Sequence, residues 1–171
     1  GPSVLCLGDS SQVESSIQGV WYSSDPDIAS VDQNGLVVAL SPGSVSFSIM
    51  DTITGCMSFP PQSVTVYAYP IAYVAGQTTI CEGGTTNLFP SSGGSWVSTN
   101  PSVAMVNNNG LVMSLQEGTA RFIFIEDGSG CVSLPTDSII IEENVSTGYT
   151  ESDVICEGKT TQLYPSTGGS W

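Results

Sequence analysis

The chain has 171 residues, of which 40% are hydrophobic and only 11% are charged. Sixteen acidic residues against two basic ones, Arg121 and Lys159, give a net charge of −14, and the chain contains no histidine. This charge disfavours nucleic acids and anionic lipid surfaces as partners. The lack of histidine excludes a Ser-His-Asp triad and imidazole metal ligands, and no apolar run approaches the ~18 residues of a membrane-spanning helix.

An exact repeat, constant in its spacing, organises the sequence. Residues 1–75 and 76–150 align without a gap and share 22 identities, and residues 76–96 share 13 of 21 with residues 151–171. A period of 75 residues separates the cysteines Cys6, Cys81 and Cys156, and the same period separates the tryptophans Trp21, Trp96 and Trp171. Self-similarity at a fixed period is typical of tandem arrays. We therefore expect an excerpt from a longer array, with an incomplete third copy.

The first repeat is predicted to consist of short strands. In chain order they are Ser3–Leu7, Ser11–Glu14, Val20–Ser23, Ile28–Val31, Leu36–Leu40, Ser44–Met50 and Ser63–Tyr67. Asn34-Gly35 between two of them predicts a hairpin with a type I′ turn, because both residues tolerate a positive φ. In Ser44–Met50, Val45, Phe47 and Ile49 alternate with serines, which indicates a half-buried strand.

The second repeat gives the same pattern, with strands around Trp96 and at Val103–Val106, Leu111–Leu115, Ala120–Ile125 and Ile139–Glu142. Short strands with frequent turn signals indicate an all-β fold of tandem Ig-like antiparallel β-sandwiches. The predicted organisation is domain 1 at 1–68, a linker at 69–77, domain 2 at 78–143, a linker at 144–152, and the N-terminal part of a third repeat at 153–171.

The sequence resembles the bacterial Ig-like domain of group 2. The resemblance rests on the run from Trp21 to Val31 (WYSSDPDIASV), on Asn34-Gly-Leu-Val37, on Pro42-Gly43 and on Val64-Thr-Val66, and the second repeat matches from Trp96 to Val106. The added cysteines also resemble repeats in giant surface adhesins of gliding Bacteroidota. These resemblances imply an Ig-like sandwich in a secreted or surface protein, often an adhesin and usually without catalytic residues.

Each complete repeat contains two cysteines, and the third copy contains one. The obvious pairs are Cys6–Cys56 and Cys81–Cys131, which would leave Cys156 without a partner. Such crosslinks would place the protein outside the cytoplasm. Buried free thiols are the alternative. A zinc site is disfavoured because the chain has neither a Cys-x-x-Cys motif nor a histidine.

Acidic residues near the second linker are the best candidates for calcium ligands, namely Glu142, Glu143, Glu151 and Asp153. Calcium requires six to eight oxygen atoms around one point, and the alternative is that these are solvated loop residues. No cofactor is otherwise expected. Thr52 and Ser138 each follow an aspartate and precede an isoleucine, which resembles the O-glycosylation acceptor pattern of Bacteroidota.

The three tryptophans are predicted to be core residues of their repeats, and a sugar-stacking platform is the alternative. No general base is available to activate a serine or threonine, so an enzyme is not expected.

The predicted function is a stalk or fibre segment of an extracellular bacterial adhesin that gives reach and mechanical stability. Its expected partners are neighbouring repeats and, through the incomplete third repeat, other copies of the chain. A glycan- or calcium-binding adhesion module is the second hypothesis. An Ig-like decoration of a phage or other surface assembly is the third, and the cysteine pairs disfavour it.

Overall fold

The structure is a computed structural model that describes residues 3–145, 148–149, 156–157, 159–160 and 163–164. The described residues contain strands and no helix, and hence no helix that could cross a membrane. Most of them form two β-structured units. Unit one comprises β1 to β7, and unit two comprises β8 to β16.

The strands of unit one are β1 Val4–Cys6, β2 Ser10–Gln12, β3 Gly19–Ser23, β4 Ala29–Val31, β5 Leu36–Ala39, β6 Gly43–Asp51 and β7 Gln62–Tyr67. They form one sheet in the order β1-β7-β6-β3 and a second in the order β2-β5-β4. All pairs are antiparallel except β1 and β7, which run parallel. The seven predicted strands are therefore confirmed, with ends that shift by one or two residues.

The strands of unit two are β8 Tyr73–Val74, β9 Thr79–Cys81, β10 Thr85–Phe89, β11 Gly94–Ser98, β12 Ala104–Val106, β13 Leu111–Ser114, β14 Gly118–Ala120, β15 Phe122–Glu126 and β16 Ile139–Glu142. The single long β6 of unit one corresponds to β14 and β15, which are separated at Arg121. Next to this break the amide of Phe122 donates to the hydroxyl of Thr136 instead of to a strand partner. β17 Gly148–Tyr149 and β18 Leu163–Tyr164 follow and pair with each other.

Each unit has its own hydrophobic core. Phe47, Val37 and Val66 lie in the core of unit one, and Phe122, Val112 and Ile141 lie at the equivalent places in unit two. Along β6 the side chains of Val45, Phe47 and Ile49 are buried and alternate with more exposed residues. This confirms the alternation that the sequence predicted. Two separate cores fit two adjacent sandwich units.

The turn between β4 and β5 differs from its prediction. Among the described residues only glycines have a positive φ, and in this turn it is Gly35, at 80°. The Asp32 carboxylate accepts hydrogen bonds from the amides of Asn34 and Leu36, both at 2.8 Å. A type I′ turn requires a positive φ at Asn34 as well. The prediction of that turn type was wrong because the Asp32 side chain stabilises a different loop, in which only the glycine is left-handed.

Candidate functional site: the junction between the units

The two cysteines of unit one lie at opposite ends of its sandwich. Cys6 is paired with Tyr67, the last residue of β7. The start of β6 lies at this same end, since Gly43 pairs with Val66. β6 then runs from Gly43 to Asp51, a distance of roughly 26 Å for its nine residues at the usual strand rise. The amide of Asp51 donates to the carbonyl of Cys56, which places Cys56 at the far end.

Unit two repeats this arrangement. Cys81 is paired with Glu142 at the end of β16, and the Cys131 carbonyl accepts from Glu126 at the far end of β15. We call the end at which the last strand of a unit finishes its exit pole, and the opposite end its entry pole. Cys6 and Cys81 lie at exit poles, and Cys56 and Cys131 lie at entry poles.

The predicted pairs Cys6–Cys56 and Cys81–Cys131 were wrong. Cys6 is bonded to Cys131, with a Cα–Cα distance of 5.5 Å and a sequence separation of 125. A disulfide needs Cα atoms within about 7 Å, and the length of β6 separates the two cysteines of one unit by several times that distance. The bond instead joins the exit pole of unit one to the entry pole of unit two.

The other three cysteines, Cys56, Cys81 and Cys156, are free and exposed. Cys131, by contrast, is fully buried. The disulfide assignment of Cys56 and Cys81 is therefore corrected, and the prediction for Cys156 stays a prediction.

A hydrogen-bonded turn presents Cys131 at the entry pole of unit two. The Gly130 amide donates to the Glu126 carbonyl at 2.8 Å, and the Glu126 amide donates to the Cys131 carbonyl at 3.0 Å. The Ser129 hydroxyl bonds the Glu126 carboxylate at 2.6 Å and accepts from the Cys131 amide at 3.1 Å. These bonds fix the cysteine backbone independently of the disulfide.

The chain between the units also contacts the exit pole of unit one. A β-carbon added to Gly8 would stand 3.1 Å from the hydroxyl of Tyr69, so this tyrosine lies directly against the turn that follows Cys6. Further along, β8 pairs with the end of β10, with Val74 opposite Leu88 and Tyr73 opposite Phe89. The rings of Tyr73 and Phe89 stack at a centroid distance of 5.0 Å. The predicted linker 69–77 thus contributes a strand to unit two.

The two tryptophans of the complete repeats differ in environment. Trp96 is 6% exposed, and its indole Nε1 donates to the carbonyl of Pro90 at 2.9 Å. Trp21 is only half-buried and lines a groove of about 560 Å³ at the entry pole of unit one, together with Val13, Glu14 and Ile17. Trp96 is therefore a core residue, and Trp21 packs partly against its core. Trp171 lies outside the described residues.

The proposed calcium ligands are only partly described. Glu142 and Glu143 are exposed at the exit pole of unit two, whereas Glu151 and Asp153 lie outside the described residues. No cluster of three or more acidic or cysteine side chains that could hold a metal ion occurs in the described part of the chain. The calcium prediction at the second linker remains untested.

The candidate glycosylation residues lie in different surroundings. Thr52 is exposed in the turn after β6. Ser138 is half-buried, and its hydroxyl accepts a hydrogen bond from Nε of Arg121 at 2.9 Å. In the same turn as Thr52, hydrogen bonds from the amide of Ile53 and the hydroxyl of Thr54 lower the pKa of Asp51.

The sequence did not reveal the bond between units or the strand β8. The strand order contained a signal for the bond between the units. The first strand runs parallel to the last one, which puts Cys6 at the exit pole. Cys56 follows the nine-residue β6, which runs in the opposite direction and ends at the entry pole. β8 has two residues, too few for a periodic pattern.

Residues 8–55 match the family model of the bacterial Ig-like domain (group 2). This confirms the predicted resemblance for most of unit one. No curated protein matches the chain.

Solved structures with similar folds include bacterial surface proteins. A C-terminal fragment of intimin, in complex with the intimin-binding domain of its translocated receptor, is 15% identical over 82% of this chain, with a TM-score of 0.46. Invasin, a bacterial integrin-binding protein, is 16% identical over 76%, with a TM-score of 0.45. Mouse protocadherin-24 EC1-3 is 8% identical over 95%, with a TM-score of 0.35.

The chain spans 59% of the intimin fragment, 32% of invasin and 73% of the protocadherin fragment. At such low identities these similarities concern the fold alone. The assignment of an all-β Ig-like fold rests on the strand order of the two units and on the family match.

Proposed function

We propose that this protein is a non-catalytic stalk or fibre segment of an extracellular bacterial adhesin, which gives reach and resists extension. One observation carries the proposal: the Cys6–Cys131 bond joins the exit pole of one Ig-like unit to the entry pole of the next. A disulfide within a domain would stabilise that domain only. A disulfide between domains fixes one domain against its neighbour.

The position of the bond determines how tension passes through the chain. Cys6 is the last residue of β1 and Cys131 lies between β15 and β16, so the bond bypasses the 124 residues between the two cysteines. Force applied to the two ends of the chain enters unit one at β1, crosses the disulfide and leaves through β16. Nearly all of unit one and most of unit two lie outside this path and are not extended.

The extracellular part of the proposal is supported by chemistry. Disulfides persist in oxidising compartments and are rare in the cytosol. The net charge of −14 opposes association between copies side by side. A match of unit one to a bacterial Ig-like family fits a role in which the fold serves as a spacer.

Single-molecule pulling on handles at both termini tests the proposal. The intact protein should not release the bypassed chain, whereas Cys6→Ser should extend by about 400 Å more, the length of 125 extended residues. A thiol reductant should give the intact protein the same additional length and should leave Cys6→Ser unchanged. That second arm is the matched control for effects of the substitution on folding.

Release of the same length from the intact protein without reductant would show that Cys6 and Cys131 are not bonded. The stalk proposal would then lose its main support.

A further inference from the structure

Cys56 and Cys81 are exposed, but the backbone around each of them makes the same contacts as the backbone around the equivalent bonded cysteine. Their equivalents in the other repeat are Cys131 and Cys6, which are bonded to each other. If the backbone around Cys56 and Cys81 already has the geometry found at Cys131 and Cys6, each free cysteine lacks only a bonding partner. The hydrogen bonds at both positions allow this comparison.

The turn that holds Cys56 repeats the turn that holds Cys131. The Gly55 amide donates to the Asp51 carbonyl at 2.8 Å, and the Asp51 amide donates to the Cys56 carbonyl at 2.9 Å. The Thr54 hydroxyl bonds the Asp51 carboxylate and accepts from the Cys56 amide, as Ser129 does in unit two. The entry-pole turn therefore forms in unit one without a disulfide.

The strand that ends in Cys81 repeats the strand that ends in Cys6. Cys81 lies beside Glu142 as Cys6 lies beside Tyr67, in the same parallel register. A hydrogen bond of 2.9 Å to the cysteine carbonyl closes the following turn in both units, from Asp9 in unit one and from Gly84 in unit two.

The chain that leaves each unit also takes the same course. Asn144 is the equivalent of Tyr69, and its side chain donates to the carbonyl of Glu82 in the turn after Cys81 at 3.0 Å. Tyr69 contacts Gly8 in the corresponding turn of unit one. The exit pole of unit two is thus arranged like the exit pole that forms the observed junction.

The entry pole of unit one contains a groove at the place where unit two receives β8. Val74 and Tyr73 pair with Leu88 and Phe89, whose equivalents are Val13 and Glu14 on the wall of the groove. β17 and β18 show the same pairing one repeat later, with Tyr149 opposite Leu163. None of the described residues fills the corresponding place in unit one. The groove therefore leaves space in unit one at the position where β10 receives β8 and β18 receives β17.

We propose that Cys81 and Cys56 are half-cystine sites for further copies of this same unit. Cys81 bonds the entry-pole cysteine of a unit that follows, and Cys56 bonds the exit-pole cysteine of a unit that precedes and whose connecting strand lies in the Trp21 groove. The inference rests on the proposed function, in that both take the units to stack end to end. It adds that successive disulfide loops overlap, so each junction is crossed by the polypeptide and by a disulfide.

Formation of each bond requires a disulfide oxidant such as oxidised glutathione. The thiolate of one cysteine attacks the glutathione disulfide, which gives a mixed disulfide and one glutathione thiolate. The thiolate of the second cysteine then attacks the protein sulfur and releases the second glutathione. Two protein thiols are oxidised and one glutathione disulfide is reduced to two thiols.

A lengthened chain tests the rule directly. Residues 76–150 are repeated once more after Thr150, in place of residues 151–171, and the protein is oxidised in a glutathione buffer. Peptide mapping without reduction should find Cys81 joined to the added equivalent of Cys131. The same digest should contain the Cys6–Cys131 peptide, and Cys81→Ser in the same chain should leave the added cysteine reactive towards iodoacetamide.

The Cys6–Cys131 peptide separates the two proposals. If it is present while Cys81 stays alkylated or pairs at random, the inference is wrong and the stalk proposal stands. If Cys6–Cys131 is itself missing from a folded chain, the stalk proposal fails as well.

The groove is tested by adding a copy of residues 68–75 before Gly1. Amide exchange of residues 13–17 should slow, and a control extension with glycine at the positions of Tyr73 and Val74 should leave it unchanged. Equal protection by both extensions, or none by either, would overturn the assignment of the groove. Binding of a sugar with the same protection would indicate a glycan site instead.

Discussion

The strands that units one and two share pair in the same order, and the units differ most at their entry poles. In unit two, Cys131 is fully buried. Trp96 is 6% exposed, and its indole Nε1 donates to the carbonyl of Pro90, which follows β10. In unit one, the equivalent Cys56 is exposed and Trp21 is half-buried beside a groove. Two things differ between the poles: unit two has Phe89 and Pro90 where unit one has Glu14 and Ser15, and only unit two receives β8 and the bond from Cys6.

The entry pole of unit two is completed by the chain that comes before it. Unit two receives β8, which packs Val74 against its core, and the cysteine of the preceding exit pole. Without β8, unit two would therefore be an incomplete domain at this end. In repeat proteins, contacts between neighbours supply part of the stability of each unit.

The largest expected effect concerns which cysteine is bonded to Cys131 of unit two. Trypsin can cut after Arg121, which separates Cys6 and Cys81 from Cys131. After free thiols are blocked and the protein is unfolded, the fragments 1–121 and 122–159 of Cys81→Ser should stay joined until reductant is added. In Cys6→Ser the same fragments should separate without reductant.

The reverse result, joined fragments in Cys6→Ser and separated fragments in Cys81→Ser, would show that the cysteines pair within unit two. The Cys6–Cys131 bond would then not account for the difference between the two entry poles.

Truncation of the two tryptophans should affect stability unequally. Trp96→Ala removes a buried ring that packs against Phe124 at a centroid distance of 5.1 Å, and we expect a loss of about 3–5 kcal/mol in the unfolding free energy of unit two. Trp21→Ala should cost clearly less in unit one, because part of the ring is already in contact with water. Denaturant unfolding of each variant checks this, and equal losses would contradict the difference in burial.

The smallest expected effect concerns the turn that holds Cys56. The amide of Ile53 and the hydroxyl of Thr54 donate to the Asp51 carboxylate and lower its pKa below the ordinary value of 3.8. The stabilisation is therefore present above that value and is lost as the pH falls through the lower pKa of the folded protein. Thr54→Ala should raise the pKa of Asp51 in an NMR titration, and Thr54→Ser should not. An unchanged pKa in Thr54→Ala would show that the hydroxyl does not contribute.

Most of the fold could be predicted from the residues in sequence. The alternation around Phe47 gave the buried face of β6, and the position of Gly35 gave the turn between β4 and β5, although not its type. Local patterns of this kind reflect a strand with one face in the core and one in water. The two-residue β8 could not be predicted, because its strand conformation depends on pairing with β10, which comes later in the chain.

The sequence predicted which cysteines form the candidate site but not which of them are bonded to each other. Cysteine spacing identified Cys6, Cys56, Cys81 and Cys131 as the residues of interest, but sequence alone does not determine connectivity. Pairing within a repeat was the simplest assumption, and the length of β6 excludes it.

The repeat, most of the strands of each unit and most of the core residues could be read from the sequence, because strands and core positions follow from local periodicity and turn chemistry. Only the tertiary structure decided which cysteines meet and what covers each tryptophan. Those properties depend on which pole a residue occupies and on which unit stands next to it. A parallel first strand and a long antiparallel β6 carry the cysteines of one repeat to opposite ends, and stacking of the units then brings cysteines of different repeats together.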